Sequence, residues 1–98
     1  MRNATITPEQ ARREYYRFRE ARMFCARSEA RMMRWNYAYR KHHAYCLLKE
    51  LKNIYPLVKI IITNKDKIYI SKQVMENLLE DAAWLEKVRA EAEAVLNS

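Results

Sequence analysis

Two histidines and a cysteine between positions 42 and 46 are the side chains of this chain best suited to chemistry. His42 and Cys46 are four residues apart, so they share one face of a helix. Zinc in proteins takes three or four ligands of this kind. The only other cysteine, Cys25, would lie ~31 Å away along a continuous helix. We therefore predict no metal site, unless the helix folds back or two chains meet, and two free, largely buried thiols.

The same residues offer a cysteine–histidine nucleophile, but the groups that would activate it are missing. Such a nucleophile needs an orienting third group and N–H donors for the developing oxyanion. The chain has no glycine with which to build such a loop. It also has no phosphate-binding glycine loop and no HExxH, GxSxG or CxxC motif. We predict a protein with no enzymatic activity and no cofactor.

Charge is the strongest functional signal in the sequence. The formal net charge is +7, with thirteen Lys and Arg against five Asp and Glu in residues 1–53, and six against seven in residues 54–98. The basic residues that follow one flank of the first helical segment are Arg13, Arg27, Arg31, Arg34, Lys41, Lys49 and Lys52. Arginine and lysine bind phosphate and carboxylate groups. This flank predicts a site for a nucleic acid, a nucleoprotein or an acidic protein surface, unless it is a solvated face paired with the acidic C-terminal helix.

Long helices are needed to position these side chains. Thr7 to Gln10 has the sequence TPEQ, which combines a capping box with proline in the first turn. No proline or glycine follows until Pro56, which disfavours helical angles at Tyr55. We predict a helical segment over 7–55. It is one continuous helix, which we favour slightly, or two helices with a break near Ser28, Asn36 or His42-His43.

The remainder of the chain predicts a hairpin and a second amphipathic helix. β-Branched residues on either side of Asn64-Lys65-Asp66 favour a short β-hairpin over 57–70. Ser71 can cap a final helix over 71–97, whose polar face is acidic. The predicted fold is therefore mainly α in a single domain, 1–98: a long N-terminal helix, a short β-hairpin and a C-terminal amphipathic helix.

The first helical segment has two apolar faces, whereas a surface helix needs one. One face holds Ala21, Cys25, Ser28, Met32, Trp35, Tyr39, His42 and Cys46, and the other holds Met23, Ala26, Ala30, Met33, Tyr37, Ala44, Leu47, Leu51 and Ile54. We expect one face to pack in the core and the other against a second copy or a partner. The alternative is a compact monomer that buries both. The predicted interface residues are Met23, Ala26, Ala30, Met33, Tyr37, Trp35 and Tyr39.

Two functions fit these patterns. The leading one is a small, non-enzymatic, homo-oligomeric binding protein that engages a polyanion through its basic helix. The alternative is an adaptor or inhibitor of a larger protein complex, of the kind that viruses and mobile elements encode, because aromatic, Met and Arg side chains are enriched in protein interfaces. No apolar run approaches the ~20 residues of a membrane helix, and the N-terminal segment lacks a secretory signal. We expect no membrane partner and a cytoplasmic location.

Overall fold

The computed structural model describes residues 6–98, which form four α-helices and no strand. Helix α1 spans Pro8–Ala21, α2 spans Met23–Trp35, α3 spans Arg40–Thr63 and α4 spans Lys72–Leu96. The predicted mainly α class is confirmed. In the described part of the chain, no helix has an 18-residue stretch apolar enough to cross a bilayer.

Two helix starts lie where the sequence predicts them. At α1, the Gln10 backbone N–H donates to the Thr7 hydroxyl at 3.2 Å, and the Thr7 N–H donates to the Gln10 side-chain oxygen at 3.1 Å. At α4, the Ser71 hydroxyl accepts from the Val74 N–H at 3.2 Å. Both caps satisfy backbone donors that have no partner inside the helix, which is why their sequence patterns are reliable.

The continuous helix over 7–55 is wrong, because the chain breaks twice in that segment. Arg22 leaves helical geometry at φ −124°, ψ −18°, between α1 and α2. Asn36, one of the predicted break points, is extended at φ −106°, ψ 90°, and begins the turn into α3. A single rod would leave its apolar faces in water. Folding back buries Tyr15 of α1 and Met33 of α2 in one core with α3.

The β-hairpin over 57–70 is also wrong. Residues 57–63 are the last two turns of α3, which continues through Pro56. The apolar positions of α3 keep a spacing of three and four residues across the proline, and they bury Leu47, Leu51, Ile54, Val58 and Ile61. Burying Val58 and Ile61 contributes about 1.5–3 kcal/mol each. This burial offsets a proline penalty of about 3 kcal/mol and overrides the β preference of Val and Ile.

Helix α3 is the central element and contacts α1, α2 and α4. Arg22 pairs with Glu50 and Glu29 pairs with His43, so α2 and α3 are antiparallel. Arg34 pairs with Glu91 on α4, and Arg27 pairs with Asp81 ten residues earlier on α4, so α4 runs in the same direction as α2. All four helices contribute buried residues to one core, including Ala11 and Tyr15 of α1.

A buried carboxylate joins α4 to the first two helices. Asp81 is fully buried and accepts hydrogen bonds from the Tyr15 hydroxyl at 2.8 Å and from Arg19 Nε at 2.8 Å. Arg27 Nη2 lies 3.4 Å from its second oxygen and places its guanidinium 4.7 Å from the Trp84 ring centroid. Burial raises the pKa of Tyr15 above its ordinary value, and the bond to Asp81 adds to this effect. The network fixes which face of α4 meets α1 and α2.

Candidate polyanion-binding face

The seven basic residues predicted to bind a polyanion do not form one surface. Arg27 and Arg34 lie on the side of α2 that faces α4, whereas Arg31 is exposed on its outer side. Arg13 is exposed on α1. The three lysines Lys41, Lys49 and Lys52 are exposed on α3. The structure therefore groups the lysines and separates the arginines.

Two of the predicted arginines form ion pairs with carboxylates of α4. Arg34 Nη2 lies 2.6 Å from Glu91, and this bond raises the pKa of Arg34 and lowers the pKa of Glu91. Arg27 is held between Asp81 and the Trp84 ring. For these two residues the pairing with the acidic C-terminal helix, given above as the alternative, is what the structure shows. Both guanidinium groups therefore already have an acidic partner within the chain.

The outer side of α3 is a continuous basic surface. Four exposed lysines at positions 41, 49, 52 and 59 fall within about 80° of one another on the helical wheel at ~100° per residue. His42 and Tyr45 are exposed on the same side. We call the following exposed residues the basic face of α3: Lys41, His42, Tyr45, Lys49, Lys52 and Lys59. It spans about 27 Å at a rise of about 1.5 Å per residue.

The lysines of this face have no acidic partner. Among residues 6–98, no ion pair involves any of the four. The single carboxylate of α3, Glu50, is paired with Arg22 on the side towards α2. Lys41 Nζ donates to the backbone carbonyl of Ser98 at 3.0 Å, and Lys59 Nζ lies 5.6 Å from the Tyr55 ring centroid. Lys49, Lys52 and Lys59 therefore have no carboxylate within ion-pair distance in the described chain, whereas Lys41 is held by the Ser98 backbone oxygen.

Three exposed aromatic side chains lie next to the start of this face. Trp35, Tyr37 and Tyr39 are 78%, 78% and 60% exposed, and we call these three the aromatic turn. The Arg40 guanidinium lies 5.6 Å from the Tyr37 ring centroid. Tyr39 is the N-cap of α3 and makes no side-chain hydrogen bond to the helix, so the partly positive N–H groups of the first turn stay uncapped. The aromatic turn thus adjoins a positively charged end of α3.

The predicted interface residues separate into buried and exposed sets. Met23, Ala26, Ala30 and Met33 are buried inside the chain, where they pack in the core formed with α3. The remaining three form the aromatic turn. From the other predicted apolar face, Cys25, Met32 and Trp35 are exposed to solvent on α2. Phe24, which the sequence analysis did not assign to that face, is 83% exposed beside them. We call these four residues the outward face of α2.

The histidines and cysteines do not assemble into a metal centre. In residues 6–98 the structure brings together no group of three His, Cys, Asp or Glu side chains suited to a metal ion. Cys46 Sγ lies 3.7 Å from His42 Nε2, and His43 pairs with Glu29 at 2.5 Å. The distance of ~31 Å that the sequence analysis gave between Cys25 and Cys46 assumed one continuous helix and does not apply to two separate helices. Because α2 folds back on α3, the two free thiols lie at a similar level of the antiparallel pair. Cys25 is exposed on the outer side of α2, so the prediction of a largely buried thiol is wrong for this residue.

Sequence reasoning missed Lys59 and Tyr45 of the basic face and misplaced His42. Lys59 belonged to the predicted strand, and the helical spacing of positions 41, 45, 49, 52 and 59 was the signal that would have included it. Tyr45 was not a predicted site residue, and His42 was assigned to an apolar face. Both lie among the lysines because the outer side of α3 is turned to solvent.

Comparison with protein-family models, with curated proteins and with solved structures finds no match to this chain. The chemistry of its surface is therefore the basis for assigning a function.

Proposed function

We propose that this protein is a non-enzymatic binding protein that engages nucleic acid through the basic face of α3. The observation that supports this most directly is the row of four exposed lysines without carboxylate partners among the described residues. Lysine ammonium groups attract phosphates as point charges and give affinity without sequence preference. A rigid helix holds the charges in a line, so they can follow a phosphate backbone over about 27 Å.

The distribution of charge over the molecule favours one orientation of a bound polyanion. Helix α4 carries six Asp and Glu against three Lys and Arg, and α3 carries five Lys and Arg against one Glu. The acidic groups that remain exposed on α4 repel phosphate. The two carboxylates of α4 that face α2 are paired with Arg27 and Arg34. A polyanion is therefore attracted to α3 and excluded from α4.

Charge reversal on α3 tests the proposal. Fluorescence anisotropy would measure binding of labelled single- and double-stranded oligonucleotides to nuclease-treated protein across a salt series. We expect Lys41→Glu/Lys49→Glu/Lys52→Glu to weaken binding at least about 100-fold, because three phosphate contacts become repulsive. Circular dichroism would check that the variant is still helical.

The matched control is Lys65→Glu/Lys67→Glu/Lys72→Glu, which makes the same change in net charge at exposed positions of the α3–α4 connection and the start of α4. We expect this control to retain affinity within a few-fold. An equal loss in both variants would mean that only total charge matters. Unchanged binding in the α3 variant would refute the proposed site.

The outward face of α2 supports a second candidate, an adaptor or inhibitor that docks on another protein. Phe24 is the most exposed large hydrophobic residue of the described chain, and Met32 and Trp35 extend the same face. Aromatic and Met side chains of this kind form the centres of protein interfaces. A protein recovered in stoichiometric amount by the wild-type chain after nuclease treatment, but not by Phe24→Asp, would support this candidate. Equal recovery by both would exclude the outward face as the docking site.

A further inference from the structure

The aromatic turn has no structural role that explains its exposure. The core is complete without it, since the aromatic ring that the fold does need, Tyr15, is only 1% exposed. Trp35 and Tyr37 each leave 78% of their surface in water. Exposed apolar groups that cluster at one place are typical of binding surfaces. The exposure of the three rings therefore favours a role in binding an external partner.

The turn is held in place by the helices on either side of it. The Asn36 N–H donates to the Met32 carbonyl at 2.8 Å, and the Tyr39 N–H donates to the Asn36 carbonyl at 3.1 Å. Trp35 is the last residue of α2 and Tyr39 immediately precedes α3. Rings on a turn anchored at both ends lose little conformational freedom when they bind.

The charges around the turn are positive. Arg31, Arg40 and Lys41 lie within four residues of an aromatic ring, and no ion pair within residues 6–98 involves any of the three. Arg34, the one basic residue of this region with a carboxylate partner, is neutralised by Glu91. Flat rings beside uncompensated cations match a ligand that carries both flat faces and negative charge.

We infer that the ligand is single-stranded nucleic acid, whose unpaired bases stack on Trp35, Tyr37 and Tyr39 while its backbone continues along the basic face of α3. The inference rests on the proposed function, because the lysines supply the backbone contacts. Stacking on aromatic side chains requires bases whose faces are free, which single strands offer and duplexes do not. Lysines alone would not distinguish the two.

Three probes of equal length separate stacking from phosphate binding: an oligothymidine, the same strand made of abasic sites, and a duplex. Anisotropy would measure the affinity of each for the wild-type chain and for Trp35→Ala/Tyr37→Ala/Tyr39→Ala. We expect the wild-type chain to prefer oligothymidine over the abasic strand by at least about tenfold, and the variant to lose that preference. Affinity for the abasic strand should be the same in both proteins.

Tyr69→Ala is the matched control. Tyr69 is 81% exposed. It lies in the connection that follows the C-terminal end of α3, whereas the aromatic turn precedes the N-terminal end, and α3 itself is about 36 Å long. Removing its ring should leave all three affinities unchanged. A tenfold loss for oligothymidine in this control as well would overturn the assignment of stacking to the aromatic turn.

Intrinsic fluorescence locates the contact independently. The chain has two tryptophans, and Trp84 lies under Arg27 away from the turn. In Trp84→Phe only Trp35 emits, and oligothymidine should quench this emission. In Trp35→Phe only Trp84 emits, and its emission should stay unchanged. Quenching confined to Trp84 would contradict the inference.

The outcomes distinguish the two proposals. Equal affinity of the wild-type chain for oligothymidine and the abasic strand overturns the stacking inference and leaves the lysine site intact. Equal affinity of the wild-type chain and the aromatic variant for oligothymidine likewise overturns the stacking inference and leaves the lysine site intact. Absence of binding to all three probes at low salt overturns both proposals.

Discussion

At the scale of single residues, Asp81 is the side chain on which the arrangement of the helices depends most. It is fully buried and is shared by Tyr15 and Arg19 of α1 and by Arg27 of α2. A buried carboxylate contributes stability only while its partners compensate for its lost hydration. Removing it also leaves those partners without an acceptor. Asp81 therefore controls stability rather than binding.

We expect Asp81→Ala to lower the free energy of unfolding by about 3 kcal/mol, because it breaks a buried ion pair and leaves the Tyr15 hydroxyl without its acceptor. Urea denaturation followed by circular dichroism would measure the loss. Glu80→Ala is the control, since Glu80 is the exposed neighbour, and it should change the value by no more than about 0.5 kcal/mol. Equal effects of the two substitutions would contradict a structural role for Asp81.

Tyr15 makes stability depend on alkaline pH. Burial is the main cause that raises its pKa, followed by the hydrogen bond it donates to Asp81. A raised pKa means that the folded state holds the phenolic proton more tightly than the unfolded state. The resulting stability is complete below the ordinary tyrosine pKa of about 10 and is lost as the pH rises towards the raised value.

Between pH 10 and 12, the wild-type chain should therefore lose unfolding free energy more steeply than Tyr15→Phe. One proton accounts for a slope difference of at most about 1.36 kcal/mol per pH unit. The two proteins differ only at position 15, so the comparison isolates the contribution of this residue. Parallel pH profiles from denaturant titrations would show that Tyr15 keeps an ordinary pKa in the folded state.

At the scale of elements, α3 connects the core to the proposed binding surface. One side buries the stripe from Leu47 to Ile61, and the opposite side carries the lysines. Both sides depend on the helix continuing past Pro56, because Val58 and Ile61 belong to the core and Lys59 to the basic face. Pro56 itself is exposed and has no N–H to donate to the preceding turn.

Pro56→Ala should raise the free energy of unfolding by about 1–2 kcal/mol, since it restores a helical N–H and removes the clash of the proline ring with the preceding turn. Thermal unfolding would show the gain as a higher Tm. Lys59→Ala, at another exposed position of α3, should leave Tm nearly unchanged. A lower Tm in Pro56→Ala would indicate that the helix ends before the proline.

The sequence predicted those elements whose signals are local. The caps at Thr7 and Ser71 depend on residues three positions apart, so they could be recognised without knowledge of the fold. The break at Arg22 has no such signal, since Arg22 is neither proline nor glycine and its partner Glu50 lies 28 residues away. The continuation through Pro56 was missed because it depends on tertiary burial of Val58 and Ile61, which outweighs local propensity.

The candidate site was predictable only in part for the same reason. Lys41, Lys49 and Lys52 share one helix face, and their spacing showed it. Arg27 and Arg34 look identical to free arginines in the sequence, because their carboxylate partners lie 54 and 57 residues away on α4. No local pattern reports such pairing.

At the scale of the whole molecule, the proposed contact of four lysines with phosphates predicts how binding depends on salt. Each phosphate neutralised on a single strand contributes about −0.7 to the slope of log affinity against log salt concentration. Four contacts predict a slope near −3 for the wild-type chain. Lys59→Ala should reduce its magnitude by about 0.7, and Lys65→Ala in the α3–α4 connection should not. An unchanged slope in Lys59→Ala would restrict the contact to the N-terminal half of α3.

The separation of charge between α3 and α4 has a consequence for what a bound molecule shows to its surroundings. Under the proposed function, phosphates would cover the basic face of α3 and leave exposed carboxylates of α4 in solvent, among them Glu76 and Glu80. Each bound copy would then present these carboxylates outward in place of the phosphates that it covers. The outer surface of a coated polyanion would be set by the spacing of the carboxylates on α4 rather than by the spacing of its own phosphates.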